Sequence, residues 1–352
     1  MPELVFEGIK ISAMSGAVPK KIIENRKYTK YFDKKTVSEI VDKTGVEQRR
    51  VTNHSTTSAD LCFAAANQLF TDNNIKKSEI DLLLFVSQTP DYRMPATSVI
   101  LQGRLGLKKN TAAFDINLGC SGFVYALSTA YSYVKQKGIN KVLLLDGETR
   151  SKVYHPKDRK TGFIFGDAAV AVIIEKDKNI GKSFFSLNSD GTLHNLIKID
   201  AGGYRNPSSL ETLKEKVVDK YGNVRTDEHG YMNGGDVFNF VLREIPKNIK
   251  HILSFSNKNL DDMDFYIFHQ ANKFMNEYLL KKLKLDNKKV PFTISKYGNT
   301  SSVSIPITIV DQLKNKLHDE KNLFMCGFGV GMSWATAIVK SKDLKISEIV
   351  EV

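Results

Sequence analysis

A chain of 352 residues, 41% hydrophobic and 26% charged, is long enough to bury a large core as one big α/β unit or as two similar halves. No apolar run approaches the roughly 20 residues of a membrane span. The three scattered cysteines (Cys62, Cys120, Cys326) argue against a disulfide framework or a structural zinc site. The acidic, strand-like start is unlike a signal peptide, and a reduced, cytoplasmic setting is expected. The net charge of +12 comes from dispersed lysines with no arginine-rich arm, so nucleic acid is not an expected partner. The charge reads either as attraction for an acidic partner or a phosphorylated ligand, or as the bias of a lysine-rich proteome.

In chain order, an opening strand gives way to a lysine-rich polar segment over 20–43 and a glycine turn at Gly45. A helix is expected from Thr57-Ser58, capped by Ser58, with Cys62, Ala65, Ala66, Leu69 and Phe70 on its apolar stripe. Cys62 therefore reads as core. Residues 80–87 form a buried strand, 89–95 a proline-set loop and 98–105 a short helix. Next, a short apolar run stops at Gly119, Cys120 follows, and Val124, Leu127, Ala130, Tyr131 and Val134 then fall at helical spacing.

Cys120 thus stands where a strand hands over to a helix N-terminus, a setting expected to stabilise a thiolate and lower its pKa. Gly119 and Gly122 leave room there for a tight turn. Taken alone, a cysteine at such a place is more often a buried structural residue. After it come a strand over 141–146, a polar loop over 150–161 and a long small-residue strand over 163–175, with a boundary at 176–182. The expected division is 1–176, carrying the thiol, and 177–352. The second half repeats the plan: a strand over 182–188, a helix after Gly234-Gly235, a strand ending at His269, a helix over 272–283, a turn at 297–300 and a helix over 304–317. A strand over 323–326 then runs into Gly327-Phe-Gly-Val-Gly331, and the last strand covers 334–339. Asn117-Leu-Gly-Cys120-Ser-Gly and Tyr297-Gly-Asn299-Thr-Ser-Ser, each followed by an apolar helix, suggest internal duplication.

Cys120, His269 and Asn299 all stand at strand or turn ends, where α/β folds place their chemistry. A thiol nucleophile needs a nearby imidazole and amide donors for developing oxyanion charge. Gly-Cys120-Ser-Gly, Phe-Gly-Asp167-Ala-Ala, His269-Gln-Ala-Asn272, Tyr-Gly-Asn299-Thr-Ser and Gly-Phe-Gly-Val-Gly331-Met-Ser-Trp334 together resemble β-ketoacyl-acyl carrier protein synthase III of the thiolase superfamily, in family order and over nearly the whole chain. The resemblance implies a duplicated five-layered αβαβα fold, a homodimer and decarboxylative Claisen condensation. It implies no cofactor; the substrates are acyl-CoA or acyl-ACP and malonyl-ACP. By the same resemblance Cys120 holds the acyl group, and His269 and Asn299 stabilise the enolate. The backbone amides of Cys120 and Val330 form the oxyanion hole, and Phe328 flanks the site. Asn272 contacts substrate, Arg159 binds coenzyme A, and Met94 lines an acyl channel across the dimer.

Two departures bear on primer delivery and carrier docking. Glu39 stands near the place of an adenine-stacking tryptophan, the only tryptophan being Trp334. Phe274 replaces a carrier-docking arginine, with Lys273 beside it. A primer carried on a protein, or a specialised pathway, is therefore compatible with the pattern. Two other classes share features. Papain-like hydrolases keep the order Cys, His, Asn but carry a Cys-Trp signature absent here. Transfer of the acyl group to a hydroxyl or amine would need no enolate stabilisation by His269 and Asn299.

Overall fold

The computed structural model describes residues 2–352. In chain order its principal elements are β1 (Glu3–Phe6), β2 (Ile9–Val18), α1 (Lys34–Thr44), α2 (Ser58–Asp72), β3 (Leu82–Val86), α3 (Thr97–Arg104), β4 (Ala112–Ile116), α4 (Gly122–Val134), β5 (Lys141–Thr149) and β6 (Asp167–Lys176). These are followed by β7 (Ser183–Ser189), α5 (Gly234–Ser256), β8 (Phe265–Phe268), α6 (Lys273–Leu283), α7 (Ser304–Gln312), β9 (Lys321–Gly329), β10 (Ser333–Ser341), β11 (Lys345–Ile346) and β12 (Val350–Glu351).

One sheet runs β4-β3-β5-β6-β2, with β3 parallel to β4 and β5, and β6 antiparallel to β5 and β2. The other runs β8-β9-β10-β7, with β8 parallel to β9, and β10 antiparallel to β9 and β7. Order and direction repeat; the second sheet lacks only a counterpart of β4. Each sheet is widened by strands from the far end of the chain. β1 joins β7 antiparallel, while β11 and β12 join β2 parallel.

Alternate residues of each buried strand face opposite layers, which is why the strands read as unbroken apolar runs. Leu84 and Val172 of the first sheet and Met325 and Ala337 of the second pack on Phe123, Leu127 and Tyr131 of α4 and Ile305 and Ile309 of α7, in the middle layer. Leu83, Leu145 and Ile173 turn the other way, against Leu61 and Leu69 of α2 and Leu101 of α3. Tyr266, Phe324 and Ile338 face Phe240 and Ile249 of α5 and Leu279 of α6. The result is the five-layered αβαβα stack of the thiolase fold. Among the described residues, no helix is long and apolar enough to cross a membrane.

Several local expectations change. The N-cap of α2 is Thr57 rather than Ser58, since Thr57 and Asp60 satisfy each other's backbone amides in a capping box. The lysine-rich segment contains α1, capped by Asp33 and ended by Gly45 at φ 71°. The strand expected over 163–175 starts only at Asp167, because Phe165 bridges to Asn299 instead of continuing the sheet. The helix expected to reach residue 317 ends at Gln312. Gly327 and Gly329 prove to be ladder residues of β9, paired with Ala335 and Ser333.

Candidate active site

Cys120, His269, Asn299, Phe328, Val330 and Asn272 line one pocket. Cys120 lies between β4 and α4, one residue before the helical N-cap Ser121, and its side chain faces β9. That approach requires a glycine: a Cβ on Gly329 would lie 2.8 Å from both Cβ and Sγ of Cys120. His269 directly follows β8, and its N–H donates to the Cys326 carbonyl at 2.8 Å, extending the parallel ladder by one residue. Asn299 sits in the turn before α7, with its N–H donating to the Ile164 carbonyl at 2.9 Å and its carbonyl accepting from Gly166 N–H at 3.1 Å. The two halves therefore meet at the site, the thiol coming from one and the two potential donors from the other.

Side-chain hydrogen bonds fix the two donors. Asn299 Oδ1 accepts from the Ser301 N–H at 2.9 Å, and Nδ2 donates to the Ala271 carbonyl at 3.3 Å, leaving the second amide hydrogen available. His269 Nδ1 lies 2.7 Å from Ser304 Oγ, which also accepts from the Gln270 N–H at 3.2 Å. A hydroxyl that accepts that amide and gives its own proton to Nδ1 would leave the imidazole proton on Nε2. Burial depresses the His269 pKa to about 3 against an opposing hydrogen bond to the Ser301 backbone, and Arg150 adds to the depression, so the ring is neutral at physiological pH. Phe328 meets it edge to face, with ring centroids 5.5 Å apart.

The thiol corrects one expectation. The Cys120 pKa is raised rather than lowered, because burial at 8% exposure outweighs the groups that favour the thiolate. Those groups are Arg150, the Ser301 hydroxyl (3.9 Å from Sγ) and the backbone N–H of Val330. Burial also raises the pKa of Asp146 and of Glu148 behind the site.

Three expected site residues lie elsewhere. Met94 is 76% exposed on the surface and outside the pocket. Arg159 stacks on Tyr221, 4.4 Å from its ring centroid, at another surface. Lys273 lines a neighbouring groove with Asp42, Lys43, Thr44, Phe274 and Glu277; Asn272, the N-cap of α6, lines both cavities. Conversely, the sequence reading passed over Arg150, Tyr154, Ser301 and Ser304. The available signal for Arg150 was a cation directly following a buried strand; Ser301 and Ser304 lay two and five residues past Asn299.

The frame and its buried thiol define a class, the acyltransferases of the thiolase fold. Residues 114–191 match the family described as 3-oxoacyl-[acyl-carrier-protein (ACP)] synthase III, and residues 253–341 match its C-terminal region. A putative 3-oxoacyl-[acyl-carrier-protein] synthase 3 of Campylobacter jejuni is 35% identical, over 98% of this chain and 97% of that protein. A β-ketoacyl-[acyl-carrier-protein] synthase III of Streptococcus agalactiae is 34% identical, over 94% and 98%. The crystal structure of a 3-oxoacyl-(acyl-carrier protein) synthase from Burkholderia xenovorans LB400 superposes with a TM-score of 0.93 at 36% identity, covering 100% of this chain and 99% of that one. The chain belongs to the 3-oxoacyl-[acyl-carrier-protein] synthase III family.

Proposed function

We propose that the protein joins an acyl primer to malonyl-ACP by decarboxylative condensation, giving a β-ketoacyl-ACP for fatty acid or specialised acyl synthesis, with Cys120 as the acyl-holding nucleophile. The observation that carries this reading is a neutral imidazole and an oriented carboxamide lining the same pocket as the thiol. In the loading step, sulfur attacks the primer thioester, the acyl–sulfur bond to the donor breaks, and the thiol proton leaves with the departing thiol. The malonyl thioester then places its carbonyl oxygen against His269 Nε2–H and Asn299 Nδ2–H. Enolate charge develops there as carbon dioxide departs, and two neutral donors bind it more strongly than they bind the carbonyl. The enolate carbon attacks the acyl-Cys120 carbonyl. Its oxyanion is received by the N–H groups of Cys120 and Val330, and collapse expels the thiolate. Loss of carbon dioxide drives the step, so the reading calls for no cofactor.

The same reading makes acyl carrier protein a partner, docked near Lys273 in the groove that Asn272 connects to the site. It gives Arg159, with Tyr221 on its face, to coenzyme A. It assembles two chains so that the exposed Met94 of one closes the acyl channel of the other. The test is mass spectrometry of Cys120 after incubation with a labelled acyl thioester, followed by addition of malonyl-ACP. Acylation, then carbon dioxide release with a β-ketoacyl product, is expected. Acylation without decarboxylation would favour transfer to a hydroxyl or amine, and peptide cleavage a hydrolase.

A further inference from the structure

Arg150 follows β5 and is 6% exposed, lining both the Cys120 pocket and an adjoining one shared with Gln88, Ile197 and Val330. Its two hydrogen bonds go to neutral groups: one to the Tyr154 hydroxyl at 2.8 Å and a long one to Gln88 Oε1 at 3.5 Å. Its Nε–H is buried with no partner. The Glu148 charge acts on the guanidinium through space, but no carboxylate among the described residues is hydrogen-bonded to it. Glu148 accepts from the Gln88 N–H and the Thr89 hydroxyl, and Asp146 accepts from the Ser302 hydroxyl. A buried guanidinium without a bonded carboxylate carries a large desolvation cost that an aliphatic side chain in its place would not.

The guanidinium is nonetheless held in position. It lies over the rings of Tyr154 and Phe165, 5.3 and 5.6 Å from their centroids, and those rings are themselves stacked at 3.9 Å. Such a fixed planar fork suits a carboxylate, which it can bind through two parallel hydrogen bonds. The remaining walls include Ile164, Ile197 and Met232, apolar surface for the methylenes between thioester and acid.

We propose that Arg150 selects the primer, and that the acyl group loaded on Cys120 ends in a carboxylate, as in the monothioester of a short dicarboxylic acid. This rests on the condensation reading above. Two other duties compete for the same cation. It could serve only to favour the Cys120 thiolate. It could instead hold the malonyl carboxylate, but a cation fixed on the departing carboxylate stabilises the ground state and opposes its loss.

Loading rates of Cys120 with succinyl-CoA and glutaryl-CoA, against butyryl-CoA and valeryl-CoA, separate these duties. The full-length protein and its Arg150→Met and Arg150→Lys variants are compared by intact mass against time. The wild type should load the carboxyacyl primers at least about tenfold faster in kcat/KM. Arg150→Met should bring that ratio below one, and Arg150→Lys should retain part of it. Wild-type preference for the neutral primers would overturn the proposal while leaving condensation intact. So would an Arg150→Met variant that slows all four equally, with its iodoacetamide alkylation profile moved to higher pH, or one that changes only the KM for malonyl-ACP. Failure of any thioester to acylate Cys120 would overturn the condensation reading, and this proposal with it.

Discussion

Replacing Ser304 by alanine tests how the imidazole proton is held on the nitrogen that faces the substrate. Ser304 Oγ lies between His269 Nδ1 at 2.7 Å and the Gln270 N–H at 3.2 Å, and the residue is 1% exposed. The variant leaves two buried polar groups without partners, each costing about 1–3 kcal/mol of stability. It also removes the donor that keeps the proton on Nε2, so the competing tautomer becomes populated. Every 1.4 kcal/mol, approximately, of lost preference costs about tenfold in rate, and a fall of about 10- to 100-fold in malonyl-ACP decarboxylation is expected. Self-acylation of Cys120 should stay within about threefold, because loading does not use the histidine donor. Carbon dioxide release and intact-mass labelling on the same preparation measure both. Equal losses in the two steps, or a lowered Tm with decarboxylation unchanged, would make Ser304 a purely structural residue and refute the tautomer argument.

His269→Ala and Asn299→Ala should each lose decarboxylation by about 100-fold or more while still self-acylating; loss of labelling in a folded variant would mean that they act in loading instead. Gly329→Ala drives a methyl into Cys120 and should slow self-acylation by about 100-fold, with a lowered Tm, as measured by intact mass and calorimetry. Asp167, buried at the start of β6, accepts from the backbone N–H and hydroxyl of both Thr52 and Ser151, so Asp167→Ala should cost about 3 kcal/mol or more in urea unfolding. Iodoacetamide alkylation of Cys120 should keep rising above pH 9, because the thiol pKa is raised. His269 binds its proton in the folded state only near pH 3 but near 6.5 when unfolded. It therefore stabilises the fold fully above pH 6.5, and that contribution is lost as pH falls towards 3. Comparing unfolding of wild type and His269→Gln at pH 5 and 7 should show a steeper rise of stability with pH in the wild type.

The parts of the site legible in the sequence were those at element ends. Cys120 and His269 stand where an apolar run stops and Asn299 in a glycine turn, and backbone bonds to Cys326, Ile164 and Gly166 hold the last two there. Arg150 opens a segment whose polar composition reads as a loop. The structure carries β5 through Asp146 and Glu148 to Thr149 and buries these acids and Arg150 behind the site. Periodicity reports which residues alternate, not how deeply a neighbouring layer covers them. The thiol expectation failed for a related reason, since a helix terminus is visible in sequence and the desolvation around it is not. α1 went unseen because its apolar face is narrow: only Val37 and Val41 are fully buried, among lysines that read as a solvated segment.

The exchanged edge strands impose an order on folding. Glu3 pairs with Ser186, and Val350 with Ala17, so each sheet is completed by the opposite terminus. During synthesis β2 remains an open edge until β11 and β12 leave the ribosome, and an unpaired edge can recruit a strand from another chain. Truncation after Ser341 would make that exposure permanent while leaving Cys120, His269 and Asn299 in the chain. Such a protein would be lost to aggregation, with its chemistry still encoded.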